Sequence, residues 1–162
     1  MAGYAAVTAD HGMFQWDLDE VRKEITDALG DYSGVEIWGN QVLLAVVCAP
    51  VETKGGFLVG NEKPIEDVWQ GKCGLILAIG PDCFTEDAKT FNGRKPQVGD
   101  FVYHNINEQT LQMSVYGPGS KMAKIKNPRG EMEDKRTWKG WPCRLVQDRF
   151  IYGRVTSPEL VL

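Results

Sequence analysis

The chain has 162 residues, 43% of them hydrophobic and 25% charged, the proportions of one ordinary globular domain with room for a sizeable core. A formal net charge of −4 removes the usual ground for non-specific nucleic-acid binding, which needs clustered Lys and Arg to release counterions. No apolar run approaches the roughly 18 residues of a membrane span, and Met1-Ala-Gly-Tyr opens no secretory leader, so neither a membrane nor export is expected.

Residues 1–16 carry no pattern. Asp17, with Glu20 three positions on, reads as a helix N-cap, and Val21, Ile25 and Leu29 follow on one helical face until Gly30 stops it. From Val35 the texture turns to strands. Gln41-Val-Leu-Leu-Ala-Val-Val-Cys-Ala is a buried strand closed by Pro50, and a Gly-rich charged stretch follows from Glu52 to Lys72. Cys73-Gly-Leu-Ile-Leu-Ala-Ile is the second strand, stopped by the turn pair Gly80-Pro81. Residues 82–97 read as loop, with turn chemistry at Asn92-Gly93.

Val98-Gly99-Asp100 suits a tight turn into Phe101-Val-Tyr-His, because Gly accepts positive φ and Asp can bond back to the local backbone. Thr110 to Tyr116 is a further strand candidate, followed by a long polar stretch that ends at Trp138 and Trp141. Cys143-Arg-Leu-Val and Phe150-Ile-Tyr-Gly-Arg-Val close the pattern. Short strands at near-regular spacing, with Gly and Pro between them, predict a mainly β domain, a small barrel or sandwich decorated by one N-terminal helix.

Signals for chemistry are absent from the residues. There is no phosphate loop, dinucleotide fingerprint, nucleophile elbow or zinc-protease motif, and Gly55-Gly56 precedes no helix whose amides would cradle a phosphate. Cys48, Cys73, Cys83 and Cys143 form no C-x-x-C pair, and His11 and His104 lie far from them, so no metal and no cofactor is expected. His104 has the chemistry of a base but no nucleophile is placed beside it. Acidic pairs such as Asp82 with Glu86 fall in polar loops, where solvated carboxylates are the rule.

Four fragments occur in an informative order: Pro50-Val-Glu-Thr-Lys-Gly-Gly-Phe-Leu-Val59, Gln70-Gly-Lys-Cys-Gly-Leu-Ile-Leu-Ala-Ile-Gly80, Gln97-Val-Gly-Asp-Phe-Val-Tyr103 and Cys143-Arg-Leu-Val-Gln-Asp-Arg-Phe-Ile-Tyr-Gly-Arg-Val155. Together they resemble the GroES-like co-chaperonin family over roughly residues 36–104 and 142–156. The resemblance implies a GroES-like small β-barrel over residues 35–162, an N-terminal extension with a helix over 1–34 and a long inserted loop at about 105–141. It implies a partner-binding loop at Gly55, Gly56, Phe57, Leu58 and Val59, whose apolar triplet docks in a groove of a chaperonin ring; packing of the triplet on the chain's own barrel is the other reading. In the family the first and last strands of neighbouring subunits meet, which implies a cyclic homo-oligomer with contacts at Val42, Leu44, Val46, Phe150 and Tyr152.

The departures from the family narrow the role. Pro64, Ile65, Val68 and Trp69 stiffen a loop that a ring-capping arm would keep flexible, and the added segments suit extra contacts in an assembly. In this the chain looks like the divergent GroES-like proteins of tailed bacteriophages. A virion structural component (capsid, neck or tail), contacting other phage structural proteins, is favoured over a co-chaperonin lid, with the virion or host cytoplasm as the location. A zinc-dependent dehydrogenase would need metal ligands and a nucleotide domain, and a single-strand nucleic-acid barrel would need a basic groove. The sequence offers none of these, so a non-enzymatic protein that binds neither nucleic acid nor membrane is expected.

Overall fold

The structure, a computed structural model, describes residues 18–47, 72–116, 122–136 and 140–156. Helix α1 (Leu18–Leu29) turns Val21, Ile25 and Leu29 inward, and the last two are fully buried. Gly30 ends it with φ 62°, its N–H donating to the Thr26 carbonyl at 2.9 Å. Arg22 fastens the helix to the sheet: its guanidinium lies 4.9 Å from the Phe101 ring centre and its Nε donates to the Gly99 carbonyl at 3.1 Å. Asp17, the expected cap, lies outside the described residues.

Eight strands follow: β1 (Gln41–Val46), β2 (Cys73–Ile79), β3 (Phe101–His104), β4 (Leu111–Tyr116), β5 (Met122–Lys126), β6 (Met132–Arg136), β7 (Gly140–Gln147) and β8 (Ile151–Arg154). Six form one antiparallel sheet in the order β4-β7-β1-β2-β3-β8, and β5 pairs with β6 as a separate hairpin. Side chains alternate between faces, so the unbroken apolar run of β1 supplies two cores. Leu43, Ala45 and Val47 join Cys73, Leu75, Phe101 and Cys143 under α1, while Val42 and Leu44 join Ile76, Val102, Val146 and Phe84 on the opposite face.

That second face also holds the two buried polar side chains of the described structure, Arg144 at 0% exposure and His104 at 3%. Arg144 Nη1 stands 3.2 Å from His104 Nε2, although β7 and β3 are separated by β1 and β2. In a flat sheet three strand spacings are roughly 14 Å, and side chains rise perpendicular to the sheet. The contact therefore requires the sheet to curl toward this face, with Arg144 and His104 meeting across its concave side. Gly74 helps the curl, since a Cβ there would stand 3.0 Å from the Leu44 Cβ.

The curl stops short of a closed barrel, which corrects the sequence expectation. β4 and β8 end the sheet, and no ladder joins them among the described residues. β8 is four residues long, with a bulge in its pairing to β3. The expected insertion at about 105–141 holds β4, at the strand candidate Thr110 to Tyr116 and part of the main sheet, and the β5–β6 hairpin, which was not expected. The hairpin turns at Asn127-Pro-Arg-Gly-Glu131, where Asn127 Oδ1 accepts from the Arg129 and Glu131 amides and Gly130 adopts φ 82°.

The turns after β2 and before β3 match their sequence signals. Gly99 takes φ 94°, and the Asp100 carboxylate accepts from the Gln97 amide at 2.9 Å and from Arg94 Nη2 at 3.0 Å. Gly80 leaves β2 so close to the preceding chain that a Cβ would lie 2.3 Å from the Gly39 carbonyl oxygen and 2.9 Å from that of Gln41. These are backbone atoms held by the Gly80 N–H to Gln41 and Asp82 N–H to Gly39 bonds. Gly80→Ala is therefore expected to destabilise the protein by about 2–4 kcal/mol, read as a lower urea midpoint at unchanged slope.

Candidate protein-binding site

β8 is an edge strand that pairs on one side only, with β3, among the described residues. Tyr103 pairs with Gly153 and His104 with Ile151, which leaves Tyr152 as the extra residue of a bulge. The bulge re-aims Tyr152, which is 57% exposed and borders a groove on the outer side of the strand. Tyr103 lies over Gly153, where a Cβ would meet its ring at 2.6 Å, and sits 6.4 Å from the Tyr152 ring centre.

The far wall of the groove comes from the 82–97 segment. Phe84 has φ 52°, an uncommon and strained conformation for a bulky side chain. Its N–H donates to Asp148 Oδ2 at 2.9 Å, and its ring meets that of Phe91 edge to face, 5.6 Å between centres. Phe91 closes a short 3-10 turn, Ala88–Phe91, which Asn92 (φ 54°) and Gly93 (φ 92°) end in left-handed conformations. Arg154 of β8 locks wall to strand, donating to the Phe91 carbonyl at 2.9 Å and also to that of Arg94. The resulting groove, about 490 Å³, has a mixed lining: Phe84, Phe91, Pro96, Ile151 and Tyr152 stand beside Thr90, Asn92 and Thr156, with Arg154 engaged by backbone carbonyls. A strand edge left unpaired among the described residues, beside a trough with apolar and hydrogen-bonding side chains, has the shape that receives an extended peptide segment.

Two described thiols and the His104 imidazole are shifted away from their reactive forms. Burial first, then the charge of Asp148, pushes the Cys83 thiol up to about 11, and burial pushes Cys143 up to about 12. Burial and then Arg144 push the His104 imidazole down to about 4. Among the described residues no group of three or more His, Cys, Asp or Glu is placed to hold a metal ion, and no helix is long and apolar enough to cross a membrane.

The residues singled out from the sequence fall in different places. Phe150 ends the 3-10 turn Asp148–Phe150 just before the edge strand, while Tyr152 lies within the strand and lines the groove. Val42, Leu44 and Val46 do not lie at an edge: β1 is central, paired with both β2 and β7, and all three side chains are fully buried within the chain. Their apolar run marks a strand covered on both faces, so their place in a subunit contact is corrected. Gly55, Gly56, Phe57, Leu58 and Val59 lie outside the described residues. Sequence reading missed Phe84, Phe91, Asp148 and Arg154; of these only the Asn92-Gly93 turn beside Phe91 left a signal. Trp141 donates its indole N–H to the Val46 carbonyl at 2.6 Å. No protein-family model and no curated protein matches the sequence.

Two outcomes test this geometry. Asp148→Ala removes the acceptor that holds Phe84 in its strained conformation, and is expected to lower stability by about 2 kcal/mol and speed exchange of the Phe84 amide. With thiols raised as described, Cys83 at pH 8 carries roughly 100-fold less thiolate than an unperturbed cysteine. Iodoacetamide labelling of the folded protein should be slower in that proportion and return to normal in denaturant.

Proposed function

We propose that this chain is a non-enzymatic protein-binding module that self-associates, with the β8 edge and its groove as the contact surface. The observation that carries this reading is the bulged edge strand, unpaired on one side among the described residues, presenting Tyr152 beside a groove of mixed polar and apolar lining. Raised thiols at Cys83 and Cys143 and a buried, neutral His104 support a role without covalent or general-base chemistry. The finer reading rests on the resemblance of the sequence fragments to the GroES-like family: the chain is a virion structural component of a tailed bacteriophage, in a cyclic homo-oligomer contacting other phage structural proteins. A co-chaperonin lid on a chaperonin ring is the second reading, carried by the Gly55 to Val59 fragment of the sequence.

Native mass spectrometry of the wild type and of Tyr152→Lys tests the surface. Because Tyr152 is exposed, the variant should keep its stability within about 0.5 kcal/mol while the oligomer falls apart. A wild type that is monomeric at micromolar concentration overturns self-association. Cosedimentation of the chain with a nucleotide-loaded chaperonin ring, sensitive to Leu58→Asp, would replace the virion reading with the lid.

A further inference from the structure

Arg144 and His104 take no part in the binding surface, yet they are the buried polar pair of the concave face. A guanidinium has donors and no acceptor, so the 3.2 Å contact makes His104 Nε2 the acceptor. The imidazole is then neutral, with its proton on Nδ1, an atom that is buried and has no hydrogen-bond partner among the described residues. A buried donor left in that state lowers stability, and a well-packed apolar pair would avoid the loss. The ring is held in place by its own strand, since the His104 N–H donates to the Lys72 carbonyl at 2.9 Å and His104 pairs with Ile151 of β8.

We propose that Arg144 and His104 form an acid-sensitive clasp, which holds the sheet curled while the imidazole is neutral and lets the β3–β8 side swing away from β7 when the ring takes up a proton. Protonation converts Nε2 from acceptor to donor, so a hydrogen bond becomes a contact of two cations at 3.2 Å away from solvent. Of the described charged groups, Arg144 is the one whose field acts on the ring; Lys72 contributes its backbone carbonyl, and the Asp148 carboxylate is turned to the Phe84 amide. Tyr103 and Ile151, beside it in the ladder, are neutral.

Folding holds the His104 pKa at about 4, against 6.5 for an ordinary imidazole. The open form therefore binds the proton first. Opening is favoured progressively as pH falls from about 6.5 to about 4, by up to tenfold per pH unit, and is level with pH outside that window.

Hydrogen–deuterium exchange of residues 101–105 and 150–154, corrected for the intrinsic pH dependence of exchange, reads the opening constant directly. The wild type should show this slope between pH 6.5 and 4.5. His104→Gln, which keeps an acceptor for Arg144 but does not titrate, should show none beyond what the carboxylates contribute. Parallel slopes in the two proteins overturn the clasp. Should the variant not fold, nitrogen NMR of the wild-type imidazole decides. An Nδ1–H tautomer at pH 7, whose titration moves the methyl signals of Val42, Leu44 and Ile76, supports the clasp; a ring that protonates while those methyls stay fixed overturns it.

Discussion

A guanidinium buried at the middle of an apolar sheet face is the constraint to which the rest of the molecule answers. Taking such a charge out of water is unfavourable by several kcal/mol, and the loss is offset only where acceptors meet its donors. Arg144 obtains one from His104, three strands away in the sheet, and that meeting demands a curl that apolar side chains alone would leave loosely defined. The curl separates the two cores. One face closes under α1 through Ile25, Leu29 and the Arg22–Phe101 contact, and the other wraps around Val42, Leu44, Ile76 and Val102.

The groove takes its shape from the same arrangement. β3 carries both His104 and the ladder to β8, so the position of Ile151 and the bulge at Tyr152 follow from the curl. On the opposite wall, the left-handed Phe84 stores strain that its Asp148 bond and its packing against Phe91 offset. Arg154 ties wall to strand through backbone carbonyls rather than through a second charge.

How much of this was legible in the sequence depends on the range of the interaction involved. Helix α1 and strands β1, β2 and β3 were readable because periodicity, Gly30, Gly80-Pro81 and Val98-Gly99-Asp100 are local signals. The β5–β6 hairpin escaped because Met122–Lys126 and Met132–Arg136 are charge-rich and lack the usual alternation, although Asn127-Pro128 and Gly130 marked its turn. The central place of β1 was misread since an apolar run looks the same at an edge and between two neighbours. Arg144 sat unremarked in Cys143-Arg-Leu-Val, where alternation gave it an inward face but nothing local named its partner forty residues earlier. The bulge at Tyr152 is a property of the pairing with β3, and a strand's own sequence does not record its register.

That bulge also bears on how far an assembly of this chain can extend. A smooth, uninterrupted edge is a template that accepts strand after strand and grows into fibres, a hazard natural sheets counter with charges, proline or irregularity. β4, at the other end of the sheet, carries no charged residue and no proline, so it has none of the compositional safeguards. At β8 the extra residue breaks the hydrogen-bonding row after a single stretch and twists the edge out of plane. An edge of this kind offers a neighbouring strand one short stretch of ladder rather than an open-ended template.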